Sequence, residues 1–458
     1  MAKFMLSCFA AAIFSCVSAS AQNFKQEINL SGLGIAGADC KPFGIAFNPT
    51  NNLLYVAVSG SFGSNNNVVA VIDPVTDSVM TSIPVGLYPE DIAFSAISGN
   101  GAVTNSTSGS VTFFDNSNNV TSTLQLPDPF GIGSCYPFGI TYSAGYYYVG
   151  TVDGSGEVYV IDAVTEQLMP GKTISTGYKS IGRMVESQTG LLISTTAYNA
   201  TWSGSTAGVY GYQSNASSSR HTNYFSADNI GSFPSASDIT IGSTGKIFMT
   251  GIDFDGKLYV INNDGTPARV IDAHGHNGYG LATSQDQSVV ALCELATGSI
   301  VLFDAHNEEY YSQISFIGMA NDAVFAAGKL YVTDQSNERV MVYDQIPTFV
   351  DRGEHSGDLD ISNSAPTAGD TVSVSLHGIN GNAVWLVGAT SYGVTTHNGV
   401  SFDIGPSVFL YGTGASSYQM TRTVPNNPVL VGRHFYFQGA FSDGFALNTT
   451  EPAVLIIQ

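Results

Sequence analysis

The sequence predicts an all-β protein, in which a seven-bladed β-propeller is followed by a small antiparallel β-sandwich. Three observations support this. A strand-rich repeat recurs seven times within residues 40–344, and its copies are 42 to 56 residues apart. Repeats of this length and content are typical of four-stranded propeller blades. A separate strand-like segment, residues 24–30, precedes the repeats, and after Asp344 the alternation of apolar and polar residues continues without the repeat.

The first arm of the repeat is a short apolar strand that follows a proline or a turn. Its clearest copies begin at Pro42, Pro89 and Pro137. We align the seven copies on a small or acidic residue near the start of this strand. These residues are Gly44, Asp91, Gly139, Gly182, Asp238, Gly280 and Asp322.

The second arm is rich in aromatic and β-branched residues, as in Leu330-Tyr331-Val332-Thr333, and the third arm alternates apolar residues and usually ends in aspartate. An aspartate at the end of a strand can accept a hydrogen bond from the backbone N–H two residues on and so close a turn. We therefore predict a structural role for these aspartates. They are Asp73, Asp115, Asp162, Asp304 and Asp344.

These residues resemble the YVTN family of β-propeller repeats, whose motif is visible in Tyr331-Val332-Thr333-Asp334 and Ala102-Val103-Thr104-Asn105. The likeness extends over the repeat region and is poorest in blade four. The resemblance implies a propeller fold. It implies no single activity, because propellers carry many unrelated functions.

The last repeat ends after its third strand, so residues 24–30 are expected to supply the missing outer strand and to remove an exposed edge. The propeller then covers residues 22–347, a linker covers 348–364, and the sandwich covers 365–458. Short alternating strands with Gly and Asn-Gly turns predict this sandwich. Residues 424–440 are similar to a C-terminal module of secreted bacterial proteins, which implies an accessory domain.

Residues 1–21 have the features of a signal peptide: a basic start at Lys3, an apolar stretch, and the cleavage site Ala19-Ser20-Ala21. We expect cleavage after Ala21 and a protein that is secreted, periplasmic or at the cell surface. No later segment is apolar for long enough to predict a membrane span. The formal net charge of −21 argues against nucleic acid and anionic membranes as partners. We expect a monomer whose partner is an extracellular protein, a glycan or a small molecule.

The familiar catalytic motifs, such as G-x-S-x-G, H-E-x-x-H and the P-loop, do not occur in the chain. Cys40 and Cys135 precede the first strands of blades one and three and could pair in an oxidising compartment, but skipping a blade puts them far apart. His274 and His276 are an alternative pair of metal ligands at the channel mouth. Two imidazoles alone do not complete a metal site.

The strongest constellation consists of Asp91, Asp238 and Asp322, which occupy one repeat position in blades two, five and seven, with Glu90 and Asn321 beside them. Oxygen ligands that converge from several blades suit a hard cation such as calcium. The arrangement resembles that of the calcium-dependent lactonase-like propellers, which implies a single metal at the channel mouth. The alternative is that each aspartate caps its own strand.

Export, repeats and the missing catalytic motifs favour a secreted binding scaffold with an unknown ligand. The alternative is an extracellular calcium-dependent lactonase-like hydrolase or lyase with its site at the channel mouth, and a third hypothesis is a structural cell-surface protein. Whether the carboxylates of Asp91, Asp238 and Asp322 converge bears on the choice between the first two.

Overall fold

The structure is a computed structural model. It describes residues 23–34, 39–60, 67–177, 179–187, 190–198, 205–212, 221–227, 235–242, 245–252, 254, 256–273, 278–295, 298–306, 308–315, 318–344, 346, 357–361, 366–367, 369–378, 384–389, 392–397, 400–404, 409–414, 417–424, 434–442, 447–449 and 453–456. The predicted signal peptide, residues 1–21, and the pair His274 and His276 lie outside these residues. In the described ranges the secondary structure is β-strand and turn. No helix in them has the length and hydrophobicity that a membrane crossing requires.

Seven successive antiparallel sheets form the blades. Blade one contains β2 (Pro42–Asn48), β3 (Leu53–Ser59), β4 (Asn67–Asp73) and β5 (Ser78–Pro84); blade two contains β6 (Pro89–Phe94), β7 (Gly101–Asn105), β8 (Ser110–Phe114) and β9 (Val120–Gln125). Blade three contains β10 (Pro137–Ser143), β11 (Tyr146–Thr151), β12 (Glu157–Asp162) and an outer strand split into β13 (Gln167–Leu168) and β14 (Ile174–Ser175). Blade four contains β15 (Ser180–Ser187), β16 (Gly190–Tyr198), β17 (Ser205–Tyr212) and β18 (His221–Ala227).

The remaining blades follow the same order. Blade five contains β19 (Ser235–Ile241), β20 (Ile247–Ile252), β21 (Lys257–Ile261) and β22 (Pro267–Asp272); blade six contains β23 (Gly278–Thr283), β24 (Val289–Glu294), β25 (Ser299–Asp304) and β26 (Glu309–Ser315). Blade seven contains β27 (Ala320–Ala326), β28 (Lys329–Asp334), β29 (Arg339–Asp344) and β1 (Asn23–Asn29). The first strand of each blade contacts the first strand of the next, and β27 contacts β2. This closed ring confirms the prediction of an all-β chain with a seven-bladed propeller.

Strand β1 joins the two ends of the ring. It pairs antiparallel with β29, from Asn23 opposite Asp344 to Asn29 opposite Arg339. The pairing is reinforced by an ion pair of 2.5 Å between Arg339 Nη1 and Glu27 Oε2. Because β1 pairs with β29, the backbone N–H and C=O groups along the outer side of β29 are hydrogen-bonded and do not form an exposed strand edge.

A buried carboxylate connects this joint to blade one. Asp77, in the turn after β4, accepts hydrogen bonds from Lys25 Nζ at 2.5 Å, Lys329 Nζ at 2.9 Å and Tyr331 Oη at 2.6 Å. Lys25 belongs to β1, and the other two donors belong to β28. One aspartate therefore ties the first blade to both the first and the last parts of the propeller chain.

The hydrophobic core is divided among the junctions between blades. Each of the seven junctions contains its own cluster of buried apolar side chains. Alternation along a strand sends successive side chains to opposite faces, so each blade contributes to the clusters on both of its sides. The second strand of each blade supplies many of these side chains. Fully burying one large apolar side chain stabilises the fold by about 1.5–3 kcal/mol.

The predicted role of the aspartates at the ends of the third strands is confirmed in four blades. In each, a carboxylate oxygen accepts a hydrogen bond from the backbone N–H two residues on. The pairs are Asp73 with Val75, Asp115 with Ser117, Asp162 with Val164 and Asp304 with His306, at 2.8 to 3.0 Å.

The C-terminal part forms further antiparallel sheets. One sheet contains β30 (Gly357–Ile361), β31 (Thr371–Gly378) and β36 (Ser417–Thr423); another contains β35 (Phe409–Gly414), β32 (Val384–Ala389), β37 (His434–Ser442), β38 (Leu447–Thr449) and β39 (Ala453–Ile456). Strands β33 (Tyr392–His397) and β34 (Val400–Ile404) form a hairpin. Strand β30 contacts β37 and β39, so the first two sheets touch. Strand β30 lies within the segment expected as a linker.

Candidate functional site

A β-bulge occurs near the start of the first strand in every blade. In blade one the register shifts between Pro42 and Ile45, and the other six first strands shift at the corresponding place. We call the residue one position before Ile45 in blade one, and the equivalent residue in each of the other blades, the latch position. The seven latch residues are Gly44, Asp91, Gly139, Arg183, Asp238, Gly280 and Asp322.

The structure corrects the alignment of blade four. The sequence alignment marked Gly182, but Met184 is the residue that resumes pairing, with Ile193 on the next strand. Arg183 is therefore the latch residue, one position later. Blade four is the poorest copy of the repeat, and a glycine stands next to the true position, which explains the shift.

Each of the three latch aspartates binds two blades together. One carboxylate oxygen accepts a hydrogen bond from the N–H of the following residue, and the other accepts one from an N–H of the next blade. The bonds within a blade are Ile92 to Asp91 at 3.0 Å, Ile239 to Asp238 at 2.7 Å and Ala323 to Asp322 at 2.8 Å. The bonds between blades are Ile140 to Asp91 at 3.0 Å, Leu281 to Asp238 at 2.7 Å and Ile45 to Asp322 at 3.0 Å. This is the capping role that the sequence offered as the alternative to metal binding, extended to the neighbouring blade.

A glycine follows each latch aspartate around the ring, and close packing explains it. The next blade beyond each glycine approaches so closely that an added Cβ would collide with its backbone. At Gly44 the Cβ would lie 2.4 Å from the Glu90 carbonyl oxygen, and at Gly139 it would lie 2.4 Å from that of Gly182. At Gly280 it would lie 2.6 Å from the Asn321 carbonyl oxygen.

Threonines of the second strands complete two of these junctions. Thr333 Oγ1 accepts a hydrogen bond from Asp322 N at 2.9 Å and donates one to the carbonyl oxygen of Phe43 in blade one at 2.8 Å. Thr104 does the same between Asp91 and Phe138, at 3.1 and 2.7 Å. The threonine that the repeat motif contains thus bridges adjacent blades.

The three latch aspartates converge on Arg183. Its Nη1 lies 2.5 Å from Asp322 Oδ1 and 3.2 Å from Asp238 Oδ2, and its Nε lies 3.8 Å from Asp91 Oδ2. Arg183 belongs to blade four, and blades two and seven, which supply Asp91 and Asp322, are not its neighbours in the ring, so these contacts cross the axis. The Arg183 side chain is 13% exposed. A guanidinium therefore lies among the three carboxylates that the sequence analysis considered both as calcium ligands and as strand caps.

Burial and charge act in opposite directions on these groups. Burial alone lowers the pKa of Arg183, but the carboxylates of Asp322, Asp91 and Asp238 outweigh it, so that pKa lies well above its usual value. Burial raises the pKa of Asp238 to about 7, although Arg183 opposes the change. Burial also raises the pKa of Asp91 against the same opposing charge. One guanidinium does not neutralise three carboxylates, and the raised pKa values of Asp238 and Asp91 show that protonation relieves part of the excess negative charge.

Glu90, the residue before a latch position, differs from the aspartates because its carboxylate has no hydrogen-bonding partner among the described residues. The residue is 8% exposed. Within the described part of the chain it makes no hydrogen bond and no ion pair. Burial raises the pKa of Glu90 to about 8, with Asp91 adding to the effect and Arg183 opposing it. Asn321 occupies the corresponding position in blade seven and is also buried.

Aromatic residues line the central channel near Glu90. Glu90 interacts electrostatically with Tyr279 of blade six as well as with its own neighbour Tyr88. A residue of blade two can reach blade six only across the axis, so the carboxylate of Glu90 faces the channel. The rings of Phe138 and Tyr279 meet edge to face across the same channel, 6.4 Å between centroids, and Phe43 packs against Tyr88 at 5.0 Å. We call Glu90 and these four aromatic residues the mouth.

The remaining predicted site residues lie elsewhere. Cys40 and Cys135 are buried and form no disulfide, and they belong to two different hydrophobic clusters. The structure therefore does not bring them together. Among the residues described, no group of three or more His, Cys, Asp or Glu side chains is arranged to hold a metal ion.

Comparisons with known proteins add information on the fold. No protein-family model matches the sequence, and no curated protein matches it. Among solved structures, the chain is similar to Kuenenia stuttgartiensis hydrazine synthase, with 15% identity, a TM-score of 0.53, and coverage of 69% of this chain and 99% of that one. It is also similar to the β-propeller domain of Cps50 (Swd1) from Myceliophteria thermophila, with 11% identity, a TM-score of 0.51, and coverage of 71% and 100%. At such low identity the comparisons show a shared propeller fold alone.

Proposed function

We propose that this protein is an exported binding scaffold that holds its ligand at the mouth of the propeller. One observation carries the proposal: Glu90 is a buried acid without a hydrogen-bonding partner in the described structure. A ligand that pairs with Glu90 would supply a charge-assisted hydrogen bond that the described part of the protein does not make to this carboxylate.

The acids around Glu90 support binding rather than metal-assisted chemistry. Both oxygens of each latch aspartate already accept backbone N–H bonds, and Arg183 occupies the space between the three carboxylates. A calcium site needs six to eight oxygen ligands. Only Glu90 and Asn321, among the five predicted ligands, are free of these latch bonds.

The alternative remains a calcium-dependent lactonase-like hydrolase or lyase. It is favoured by the excess of carboxylates over guanidinium at the axis, because a divalent cation would balance it. In that case calcium would bind beside Glu90 and Asn321, and Glu90 would lose its proton.

The other parts of the proposal come from the sequence. We assign the blades to YVTN-type repeats and residues 365–458 to an accessory β-sandwich. Residues 1–21 are assigned to a signal peptide removed after Ala21, which places the protein outside the cytoplasm. Mass spectrometry of the protein recovered from its host tests the last point, since the mature chain should begin at Gln22.

Thermal unfolding with a panel of small molecules tests the site. The panel contains amines, carboxylic acids, sugars and lactones, and the proteins are the mature chain, Glu90→Gln, and the control Glu186→Gln. Glu186 is exposed at the far end of β15, where its one hydrogen bond, from Ser143, can be kept by an amide oxygen. A member of the panel should raise the melting temperature of the mature chain and of the control but not that of Glu90→Gln. Equal responses in all three proteins would overturn the site, and calcium-dependent lactone hydrolysis lost in Glu90→Gln would establish the enzyme.

A further inference from the structure

We infer that the mouth binds an organic ammonium ion, which pairs with the Glu90 carboxylate and lies against the surrounding aromatic rings. The inference rests on the proposed function, because it names the chemical class of the ligand for that same site. Binding of such an ion requires three features at one point of the channel: an environment that attracts positive charge, an acid that is available for pairing, and aromatic faces.

The charge at the axis favours a cation. Asp91, Asp238, Asp322 and Glu90 bring four carboxyl groups to the channel, and among the described residues one guanidinium, that of Arg183, meets them. Charges interact strongly in a buried site, where the effective dielectric constant is well below that of water. An added positive charge would therefore be attracted, whereas an anion would meet the excess of carboxylates.

The aromatic residues decide between an organic cation and a metal ion. Phe43, Tyr88, Phe138 and Tyr279 are grouped at the level of Glu90. Aromatic faces attract ammonium groups, and the interaction strengthens when the pair is removed from water. Rings supply no oxygen ligands, which a hard cation such as calcium requires. An alkylated ammonium can use both the rings and the acid, and a bare metal ion can use only the acid.

Binding of such an ion should be coupled to proton release. Without ligand, the pKa of Glu90 at about 8 keeps most of this carboxyl protonated at neutral pH. A cation beside it favours the ionised form, so the proton leaves when the ligand binds. The titratable and charged groups that face Glu90 are Tyr88 and Asp91 on its own segment, Arg183 on β15, and Tyr279 on β23, with Asp238 and Asp322 around Arg183.

Isothermal titration calorimetry of the mature protein with choline tests the inference. The control ligand is the neutral analogue of choline in which carbon replaces the ammonium nitrogen. Choline should bind, and the neutral analogue should bind at least about tenfold more weakly, since one favourable charged contact is worth roughly 1.4 kcal/mol or more. Because only ionised Glu90 pairs with the cation, the affinity for choline should rise about tenfold from pH 7 to pH 9.

Substitutions at the mouth separate the contributions. Glu90→Gln should abolish the pH dependence and weaken choline binding, while Glu186→Gln should change neither. Tyr279→Leu should weaken binding because it removes a ring, and Tyr279→Phe should retain it. Each variant is first checked for a melting temperature without ligand that is no lower than that of the parent, so that a loss of binding does not reflect a loss of fold.

The remaining outcomes are also decisive. Equal affinity for choline and its neutral analogue would overturn the cation and leave the binding site in place. No binding of choline at either pH would overturn the ammonium class, while the panel of small molecules still tests the scaffold. Tighter binding of calcium chloride than of choline, lost in Glu90→Gln, would replace the inference with the metal alternative.

Discussion

Arg183 of blade four forms an ion pair of 2.5 Å with Asp322 of blade seven. The two blades are not neighbours, so this pair crosses the axis of the ring. The same guanidinium reaches Asp238 and Asp91. Arg183 therefore links blades that no strand pairing connects, and it neutralises part of the charge that the latch aspartates bring together.

Replacement of Arg183 by methionine should destabilise the propeller. The substitution keeps the apolar part of the side chain and leaves three carboxylates without a countercharge at the axis. Removing one partner of a buried ion pair costs about 3–5 kcal/mol. The measurement is the midpoint of urea unfolding at neutral pH, and acidification should restore part of the loss by protonating the aspartates. An unchanged midpoint would show that the ion pairs do not stabilise the ring.

Gly139→Ala should destabilise the junction between blades three and four. The new Cβ would lie 2.4 Å from the Gly182 carbonyl oxygen and 2.9 Å from Arg183 Cα, and neither backbone atom can move freely. Overpacking of this kind costs about 1–3 kcal/mol, occasionally more. The control is Gly171→Ala, where the Cβ would meet nothing within 4 Å, although the positive φ of 73° adds strain. Thermal unfolding should show the larger loss for Gly139→Ala, and the reverse order would refute the close-packing argument.

Asp77→Asn should weaken the closure of the ring. The amide cannot balance Lys25 and Lys329, both of which bind the carboxylate. Because the Asp77 side chain is almost completely buried, we expect a loss of about 3 kcal/mol. Burial alone would raise the pKa of Asp77, but the bonds from Lys25, Tyr331 and Lys329 lower it. A lowered pKa stabilises the fold above the unfolded value of 3.8 and ceases to do so as the pH falls through the folded value. The difference between the two proteins should thus shrink in acid, and a difference that stays constant down to strongly acidic pH would contradict this assignment.

Glu90→Gln should stabilise the ligand-free protein in mild alkali and have little effect in mild acid. The pKa of Glu90 is raised to about 8, and that of Asp238 to about 7, so the folded state holds protons that the unfolded state releases. Stability then falls as the pH rises from the unfolded pKa values towards the folded ones. Melting temperatures of the parent and Glu90→Gln between pH 5 and pH 9 measure this effect. Parallel curves for the two proteins would show that Glu90 does not titrate in this way.

Calcium should leave the melting temperature of the mature protein unchanged when compared with a chelator. The latch aspartates have no free oxygens, and Arg183 repels a divalent cation. A calcium site at one hundred times its Kd would add about 2.7 kcal/mol, which a melting curve resolves. A calcium-dependent rise that disappears when Asp91, Asp238 and Asp322 are all replaced by Asn would support the metalloenzyme.

The fold was predictable because every blade repeats the same strand pattern, and the pattern is local. The equivalence of Asp91, Asp238 and Asp322 could be recognised for the same reason, since a bulge at the same repeat position in each of their blades places them. Arg183 was missed because its place depends on which residue of blade four resumes pairing with β16. The hydrogen-bonded register decides this, and the nearby glycine misled the alignment.

The mouth was only partly predictable because its contacts join distant blades. Glu90 was identified as a neighbour of Asp91, but it interacts electrostatically with Tyr279, whose ring meets that of Phe138, and both aromatic residues belong to other repeats. Equivalent positions in the repeat also do not imply proximity. Cys40 and Cys135 precede corresponding strands, yet each is enclosed by the cluster of its own junction.

The division of the core among junctions makes each blade inseparable from its neighbours. In β11, Tyr147 belongs to the cluster shared with blade two, and the next residue, Tyr148, belongs to the cluster shared with blade four. A single-residue insertion in this strand would exchange the two side chains and damage both cores at once. Evolution can therefore vary the loops of this ring freely, whereas it can add, remove or shift a blade only by rebuilding two interfaces together.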